Sequence, residues 1–422
     1  MDRVLPRSLE HPLPAGMRDL LPEEAAARRR LSHTVLERFS LYGYRLVTPP
    51  AFELASVIER GLGTDAASEV LRFIEPESGE VAVLRPDMTP QIARIVATRM
   101  RDHAAPFRIA YEGTVVRRRA GRAKKHRQIP QVGVELCGVS PASADLELLE
   151  LASDALHAAG LTRFTIDLSD AGIVRELLAD VGPERASDIT SALSTKDEAI
   201  LGEHVRGLAN AAPLLALTRL HGKRDALEEA VKVLSTTRAS AAAKRLLALF
   251  DEASSAGLGP FLTADAGEVR GFAYYTGTIF SIYADGPGEP IGAGGRYDEL
   301  LARFGAPMPA IGFGLDLDAL TWALRNAGVG QPPREGVVYV GELSDGRVAA
   351  LRRRGISAVA IAYHDAALAH ARSWGHAAVW NGASVYDLRA ETSTCIAADS
   401  SGDADRDAGL VARVLDTLPR GA

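Results

Sequence analysis

Hydrophobic residues recur at two different spacings along the chain, and these spacings predict which segments are helices and which are strands. After Pro22, the residues Leu31, Val35 and Phe39 fall on one face at helical spacing, and Gly43 ends that segment. Runs with strand-like composition follow at 44–52, 80–85, 107–119 and 131–139. The last two runs flank a basic segment, which predicts an antiparallel pair with a long charged connection.

Other stretches favour helices. One helix is predicted from Thr89, whose hydroxyl is expected to cap the amides of the first turn, and another ends at Gly160. Residues 171–258 are rich in Ala, Leu and Glu with little strand character, which indicates a helical insertion. The segment 274–300 predicts a hairpin with a Gly/Pro turn.

A change of pattern near 328–336 predicts a domain boundary, because glycine and two prolines separate segments of different character there. Strands and helices alternate beyond it, which is typical of a small α/β unit. The predicted fold class is α+β. It has a core divided between 1–170 and 259–327, the helical insertion at 171–258 and an α/β domain at 335–422.

The composition narrows the class of protein. The 422 residues carry a net charge of −6 and are 47% hydrophobic, which fits a globular protein and not a dedicated nucleic-acid binder. Cys137 and Cys395 stand far apart and outside any Cys/His cluster, which argues against a structural zinc or a disulfide framework. No stretch approaches the roughly 20 apolar residues of a membrane span, and the N-terminal prolines and charges do not suit a signal peptide. We therefore expect a cytoplasmic protein without membrane contact, metal or cofactor.

Candidate chemistry begins in "LRPDMTPQIAR", where Asp87 and Thr89 stand at a strand-to-helix junction and face one pocket mouth. On this segment alone, a solvated aspartate beside a helix cap is the favoured interpretation. Gln131 and Glu135 are four apart on an extended segment and so point to one face of a sheet. A buried Glu135 needs a partner.

A basic run lies in the predicted connection between the paired strands. Its cations are enough to hold a phosphate or a nucleic-acid backbone, although such a run is more often a solvated hairpin tip. They are Arg117, Arg118, Arg119, Arg122, Lys124, Lys125 and Arg127.

"RGFAYYTGTIF", at 270–280, supplies Arg270, Tyr274 and Tyr275. In an extended segment the two tyrosines alternate faces, so one is core while the other lines a pocket. Arg270 is either a pocket residue or a surface arginine. "GAGGRYDEL" at 292–300 lacks the lysine of a phosphate loop and indicates close backbone packing beside a ligand.

Taken in order, these segments resemble the histidyl-tRNA synthetases, a class II family. The likeness runs from "GMRDLLPEE" at 16 to about residue 320, with a motif 2 at 111–135 and a histidine-specific segment at 270–280. The resemblance implies a class II synthetase-like antiparallel sheet flanked by helices. It also implies a degenerate anticodon-binding-like domain at 335–422 and a dimer formed through 42–58.

Carried over by position, the resemblance implies a pocket for histidine, whose ammonium and ring N–H call for carboxylates and whose carboxylate calls for cations. Asp87, Thr89 and Gln131 would receive the amino group, Arg117 and Arg270 would face the carboxylate, Glu135 and Tyr275 would fix the imidazole, and Tyr274 belongs to the same wall.

The nucleotide-binding residues of that family are missing. Motif 2 has Arg-x-Glu in the synthetases and Arg117-Arg118-Arg119 here, and Leu317 is placed at the phosphate-binding arginine of the motif 3 sequence Gly-Leu-Glu-Arg. A synthetase fold with a histidine pocket and no ATP residues resembles the regulatory subunits of ATP phosphoribosyltransferase. That resemblance implies a non-catalytic protein of histidine biosynthesis, acting as a homodimer within a hetero-oligomer. Its partner would be the short-form catalytic subunit, and L-histidine would be its feedback effector.

Two alternatives remain open. An active histidyl-tRNA synthetase would adenylate histidine and transfer it to tRNA. A tRNA- or protein-binding paralogue would use the basic loop 117–127, although the acidic net charge makes tRNA an unfavoured partner.

Overall fold

The computed structural model describes residues 13–62, 70–118, 126–139, 141–269, 274–329, 336–396 and 403–417. Within these residues the chain forms two compact units. One contains Arg28–Val329, and the other combines Leu20–Ala27 with the described residues that follow Val329.

The strands lie in three sheets. They are β1 Arg45–Val47, β2 Phe52–Leu54, β3 Arg72–Ile74, β4 Val81–Leu84, β5 Phe107–Val116, β6 Gln128–Cys137, β7 Thr165–Asp170, β8 His221–Gly222, β9 Leu262–Asp265, β10 Thr278–Tyr283, β11 Gly292–Arg296, β12 Ala310–Asp316, β13 Val337–Val340, β14 Ala358–Ile361, β15 Ala378–Trp380, β16 Ser384–Asp387 and β17 Thr392–Cys395.

The first unit is built on a nine-stranded sheet with the order β1-β5-β6-β12-β11-β10-β7-β9-β8. Its pairs are antiparallel apart from β1 with β5 and β7 with β9. The predicted antiparallel pair is confirmed as β5 and β6, and the predicted Gly/Pro hairpin as β10 and β11. The predicted α+β class is also confirmed, with helices on both sides of this large mixed sheet.

The short strand predicted in 44–52, closed by the double proline, is confirmed as β1, and a second strand, β2, begins after the prolines. β1 joins the edge of the nine-stranded sheet, whereas β2 belongs to a small sheet with the order β2-β4-β3. Pro49 and Pro50 cannot donate ladder hydrogen bonds, so pairing stops between the two strands.

The helices of the first unit follow the predicted pattern, including a run of six helices between β7 and β9. They are α1 Pro22–Leu41, which begins in the residues of the second unit, α2 Ala55–Leu62, α3 Thr89–Thr98, α4 Pro141–Ala158, α5 Ala171–Leu177, α6 Pro183–Thr195, α7 Glu198–His204, α8 Ala211–Ala216, α9 Arg224–Val233, α10 Ser240–Ala253 and α11 Leu317–Asn326. Within the described residues, no helix is long and apolar enough to cross a lipid bilayer.

Alternation along the central strands separates two hydrophobic cores. On one face, Val134 and Phe313 are register partners and pack in the larger core with α4 and α10. On the other face, Ile109 and Tyr111 of β5 pack with α2 and α3 in a smaller core. The odd-numbered residues of β6, which include Gln131 and Glu135, share this second face.

The second unit has a five-stranded sheet with the order β14-β13-β15-β16-β17, in which β13 is parallel to both of its neighbours. Its helices are α12 Arg347–Arg353, α13 His364–Ser373 and α14 Ala404–Thr417. Buried residues cover both faces of this sheet, with Trp380 in one core and Val379 in the other. This is the α/β alternation that the sequence predicts.

Candidate functional site

A cavity of about 200 Å³ opens on the second face of the large sheet, over β6, β11 and β12 and beside the start of α3. This volume is below the roughly 300–1,000 Å³ typical of pockets for drug-sized ligands, so the cavity suits a ligand the size of one amino acid. Six of the eight predicted site residues line it: Asp87, Thr89, Arg117, Gln131, Tyr274 and Tyr275.

Glu135, the seventh predicted residue, lies below the cavity. Its side chain is 1% exposed and accepts hydrogen bonds from the Thr89 hydroxyl (2.6 Å) and from the Tyr297 hydroxyl. Its register partner on β12 is Gly312, where an added Cβ would lie 1.7 Å from Glu135 Oε2. Glycine at 312 therefore provides the space in which the buried carboxyl sits.

Thr89 does not have the role expected of it. Its hydroxyl donates to Glu135 and caps no backbone amide, and the residue before α3 makes no side-chain cap. The expectation of a helix-capping threonine is therefore wrong, because the side chain is turned toward a buried carboxyl across the sheet, which needs a hydrogen-bond donor.

Asp87 is 6% exposed, so the interpretation of a solvated aspartate is also wrong. One of its oxygens accepts a hydrogen bond from the Tyr274 hydroxyl (2.9 Å), and the other accepts a weak one from the Thr89 backbone N–H (3.4 Å). Burial raises the pKa of Asp87, and the nearby Arg117 guanidinium lowers it in part. The cavity thus holds a carboxylate and a guanidinium close enough to interact.

Arg270, the eighth predicted residue, lies outside the described part of the chain, as does 119–125 of the basic loop. Of that loop's cations, the structure describes Arg117, Arg118 and Arg127. Arg117 is half-buried in the cavity wall, while Arg118 is exposed. Arg117 therefore belongs to the pocket and not to a solvated hairpin tip.

The two adjacent tyrosines divide only in part between core and pocket, because Tyr274 belongs to the smaller core and yet lines the cavity together with Tyr275. Residues 274–277 precede β10 and are not a strand, and both rings line the cavity with their centroids 4.9 Å apart. Irregular backbone removes the two-residue alternation on which the expectation rested.

Two further tyrosines, which the sequence does not single out, also line the cavity. Tyr297 donates to Glu135, and Tyr111 of β5 lies opposite Gly133 of β6. A Cβ at Gly133 would come within 2.5 Å of the Tyr111 hydroxyl. A glycine opposite an aromatic residue in the predicted β5–β6 pair is the signal that points to Tyr111.

The glycine-rich strand β11 packs closely, as its sequence predicts. A Cβ at Gly294 would lie 2.4 Å from the Gly312 carbonyl oxygen, and one at Gly295 would lie 2.7 Å from the Thr278 carbonyl oxygen. Gly292 and Ala293 line the cavity directly. Side chains in place of Gly294 and Gly295 would separate the strands that form the cavity floor.

Leu317 stands at the arginine position when Gly-Leu-Glu-Arg is aligned with residues 314–317, and the loss of phosphate binding there stays a prediction. Leu317 is 1% exposed and packs in the larger core, and it is absent from the cavity wall. Its apolar side chain offers no charge and no hydrogen bond to a phosphate. The residue of this turn that faces the cavity is Asp316.

The buried Glu135 carboxyl makes a testable contribution to the pH dependence of stability. Burial raises its pKa to about 8, and the Thr89 and Tyr297 hydrogen bonds oppose that shift. The folded protein therefore holds a proton on Glu135 between pH 4.5 and 8 that the unfolded chain has lost, so stability falls as the pH rises through this window.

We expect Glu135→Gln to reduce this loss of stability with rising pH. For one group, the loss in the free energy of unfolding is at most about 1.4 kcal/mol per pH unit. Urea unfolding at pH 5.5 and pH 8 measures the difference. Asp87, whose pKa is also raised by burial, lowers stability with rising pH in the same way and is still present in Glu135→Gln. Glu112→Gln, at an exposed position of β5, is the control and should behave as the wild type. An unaltered slope in Glu135→Gln would show that Glu135 is ionised throughout this range.

Comparisons with known proteins identify relatives of the whole first unit. The sequence profile of the family "Histidyl-tRNA synthetase" matches residues 16–320. An ATP phosphoribosyltransferase regulatory subunit of Moorella thermoacetica is 40% identical over 318 residues, which are 74% of this chain and 81% of that protein. One from Anaeromyxobacter sp. strain Fw109-5 is 42% identical over 325 residues, which are 76% of this chain and 94% of that protein.

Solved structures agree with these relationships. An ATP phosphoribosyltransferase regulatory subunit/histidyl-tRNA synthetase from Bacillus halodurans C has a TM-score of 0.75 at 31% identity, covering 87% of this chain and 97% of that one. Histidyl-tRNA synthetase from Nostoc sp. PCC 7120 also gives 0.75, covering 95% and 99%, but at 19% identity it supports the fold alone.

Proposed function

Because the chain belongs to the family of ATP phosphoribosyltransferase regulatory subunits, which share the histidyl-tRNA synthetase fold, we propose that it binds free histidine and regulates a separate catalytic subunit. Histidine would be the feedback effector of the complex, and the chain itself would catalyse no aminoacylation. The partner would be the short-form catalytic subunit, which condenses ATP with phosphoribosyl pyrophosphate.

One observation carries the ligand assignment: a buried carboxyl, Glu135, lies directly beneath a cavity the size of an amino acid. A polar ring that reaches this depth can hydrogen-bond to Glu135, and a purely apolar side chain would leave the carboxyl without that partner. Nearer the wall, Asp87 and Gln131 offer acceptors for an ammonium group, and Arg117 offers a cation for a carboxylate. Histidine has all three of these groups.

The proposed loss of adenylation rests on two replaced residues of the ATP site. At the start of α11 the motif 3 arginine is replaced by Leu317, which has no charge and donates no hydrogen bond to a phosphate. In motif 2, the acid of Arg-x-Glu is replaced by Arg119. Arg119 lies outside the described residues, so this second point depends on its identity alone.

Two measurements on the purified chain separate the proposal from an active synthetase. Calorimetry should show saturable histidine binding, and histidine-dependent ATP–pyrophosphate exchange should stay at background. Exchange well above background would establish the synthetase reaction instead. Failure to bind histidine would remove this cavity from the regulatory mechanism.

The proposed homodimer would use the segment 42–58. Leu46 of β1 and Phe52 and Leu54 of β2 are exposed, and the Phe52 ring makes an edge contact with that of Phe73, 5.3 Å away. An exposed group of large apolar side chains beside an edge strand is typical of a protein interface. We propose that a second copy of the chain covers it within the hetero-oligomer.

A further inference from the structure

We propose that Asp167, Asp265 and Glu268 form a binding site for one hard divalent cation, Mg²⁺ or Ca²⁺. One ligand oxygen from each of these side chains lies within 4.8 Å of the other two. Two oxygens on opposite sides of a Ca²⁺ ion are about 4.6–5.2 Å apart, because each Ca²⁺–oxygen distance is about 2.3–2.6 Å. A single ion can therefore contact all three residues, none of which lines the cavity of the proposed function.

The fold brings the three carboxyl groups together at two neighbouring strands. Asp167 lies on β7, Asp265 ends β9, and Glu268 follows three residues later. β7 and β9 are parallel, and Asp167 is the register partner of Thr263. The helical insertion separates the ligands in the sequence. The expectation of no metal followed from the lack of a Cys/His cluster, and it did not consider oxygen ligands that meet only in the folded sheet.

A buried hydroxyl beside the acids provides independent evidence for a ligand. Leu168 packs in the larger core, so Asp167 and Ser169 on either side of it point to the opposite face of the sheet. The register pairs Leu168 with Ala264, which places the next residues, Ser169 and Asp265, side by side. Ser169 is 1% exposed, and its Oγ has no hydrogen-bond partner within the described residues. A buried polar atom of this kind calls for a water molecule or an ion.

The polar contacts of the two aspartates leave one oxygen of each for an ion. Thr263 Oγ1 donates to Asp167 Oδ1 (2.7 Å). Lys196 Nζ (2.7 Å) and the Gly267 N–H (2.9 Å) both donate to Asp265 Oδ1. In the part of the chain that the structure describes, the Oδ2 atoms of Asp167 and Asp265 accept no hydrogen bond. These two oxygens are therefore suitable ligands.

Charge and access also favour a cation at this place. Burial raises the pKa of Asp167, the charges of Asp265 and Glu268 raise it further, and the smaller effect of Lys196 lowers it. Lys196 therefore does not offset the repulsion among the acids. A cavity of about 480 Å³, lined by Asp167, Asp265 and Thr263, gives an ion access from solvent. All of the ligands are oxygen atoms, which Mg²⁺ and Ca²⁺ prefer.

Three substitutions change the site in different ways. Asp167→Asn keeps the size of the side chain and an acceptor for Thr263, and it removes a charged ligand. Ser169→Ala removes the buried hydroxyl and breaks no hydrogen bond within the described residues, so the metal-free protein should be at least as stable as the wild type. Lys196→Met removes the competing cation. Asp285→Asn is the control, because the Asp285 side chain is 73% exposed and lies outside the cluster.

Calorimetric titration of the full chain with MgCl₂ and, separately, with CaCl₂ measures the binding. We expect at least one of these ions to bind saturably, at one site per chain, in the wild type and in Asp285→Asn. The affinity should fall at least about tenfold in Asp167→Asn, fall in Ser169→Ala and rise in Lys196→Met. Urea unfolding with and without the ion should show a gain in stability only in the proteins that bind it.

Three results would overturn the site. The first is binding that does not saturate, and the second is binding of equal strength in the wild type and in Asp167→Asn. The third is binding by Lys196→Met alone, because Lys196 would then be the permanent counter-ion of the acids. If Asp167→Asn does not fold, Ser169→Ala and Lys196→Met decide the question, and an unchanged affinity in both would contradict the assignment.

Discussion

Replacing Glu135 by alanine is expected to weaken histidine binding about 10- to 100-fold, which corresponds to roughly 1.5–3 kcal/mol for a buried polar group of the ligand that loses its hydrogen-bond partner. The carboxyl lies below the cavity and is held by Thr89 and Tyr297, so its direction is set before the ligand arrives. Alanine removes the ring's partner and also leaves these two hydroxyls without an acceptor. Calorimetry with L-histidine measures the loss.

Two further variants separate binding from folding. Glu135→Gln retains the shape and one acceptor oxygen, so it should fold normally and bind histidine with intermediate affinity. Glu112→Ala, at an exposed position of the neighbouring strand β5, should leave the affinity unchanged. If folded Glu135→Ala binds histidine as tightly as the wild type, Glu135 does not contact the ligand.

Replacing Asp145 by alanine is expected to lower the free energy of unfolding by about 3–5 kcal/mol, the usual result of removing one partner of a buried ion pair. Asp145 of α4 receives hydrogen bonds from Arg296 Nε (2.9 Å) and from the Thr278 hydroxyl (2.7 Å). Arg296 is 3% exposed, so its guanidinium would lose its buried counter-charge while still pairing with the more exposed Asp298. This pair fixes α4 against β10 and β11, the strands that lead into the cavity.

Urea unfolding followed by circular dichroism measures this loss. Asp154→Ala is the control on the same helix, because the Asp154 side chain is 36% exposed and lies 4.0 Å from Arg38 in a weak surface pair. Combining Asp145→Ala with Arg296→Met should recover part of the stability, since the unpaired buried charge is then gone. A loss below about 1 kcal/mol in Asp145→Ala would mean that Asp298 or water neutralises Arg296 adequately.

Periodicity and turn chemistry were enough to predict much of the fold. The helix after Pro22 was recognisable because its apolar residues repeat at helical spacing and Gly43 follows. The hairpins β5–β6 and β10–β11 were recognisable from strand-like runs around polar or glycine-rich turns. These features depend on local spacing, which the sequence contains in full.

The side-chain partners in the site could not be predicted from local spacing. The Thr89 hydroxyl can accept a hydrogen bond from a nearby backbone N–H or donate one to a carboxyl distant in sequence. Only the folded sheet brings the Glu135 carboxyl within 2.6 Å of it. Tyr297 follows a glycine-rich strand whose sequence indicates only close backbone packing, so no local signal points to its hydroxyl.

The central claim is that this chain regulates a catalytic subunit in response to histidine. Its most direct test is to mix the purified chain with the short-form phosphoribosyltransferase subunit of the same genome and to measure the condensation of ATP with phosphoribosyl pyrophosphate. We expect the two to associate, the rate to rise above that of the catalytic subunit alone, and histidine to lower it by a factor within the 5- to 150-fold range typical of allosteric coupling. The account is contradicted if the two proteins do not associate and the rate of the mixture does not rise above that of the catalytic subunit alone.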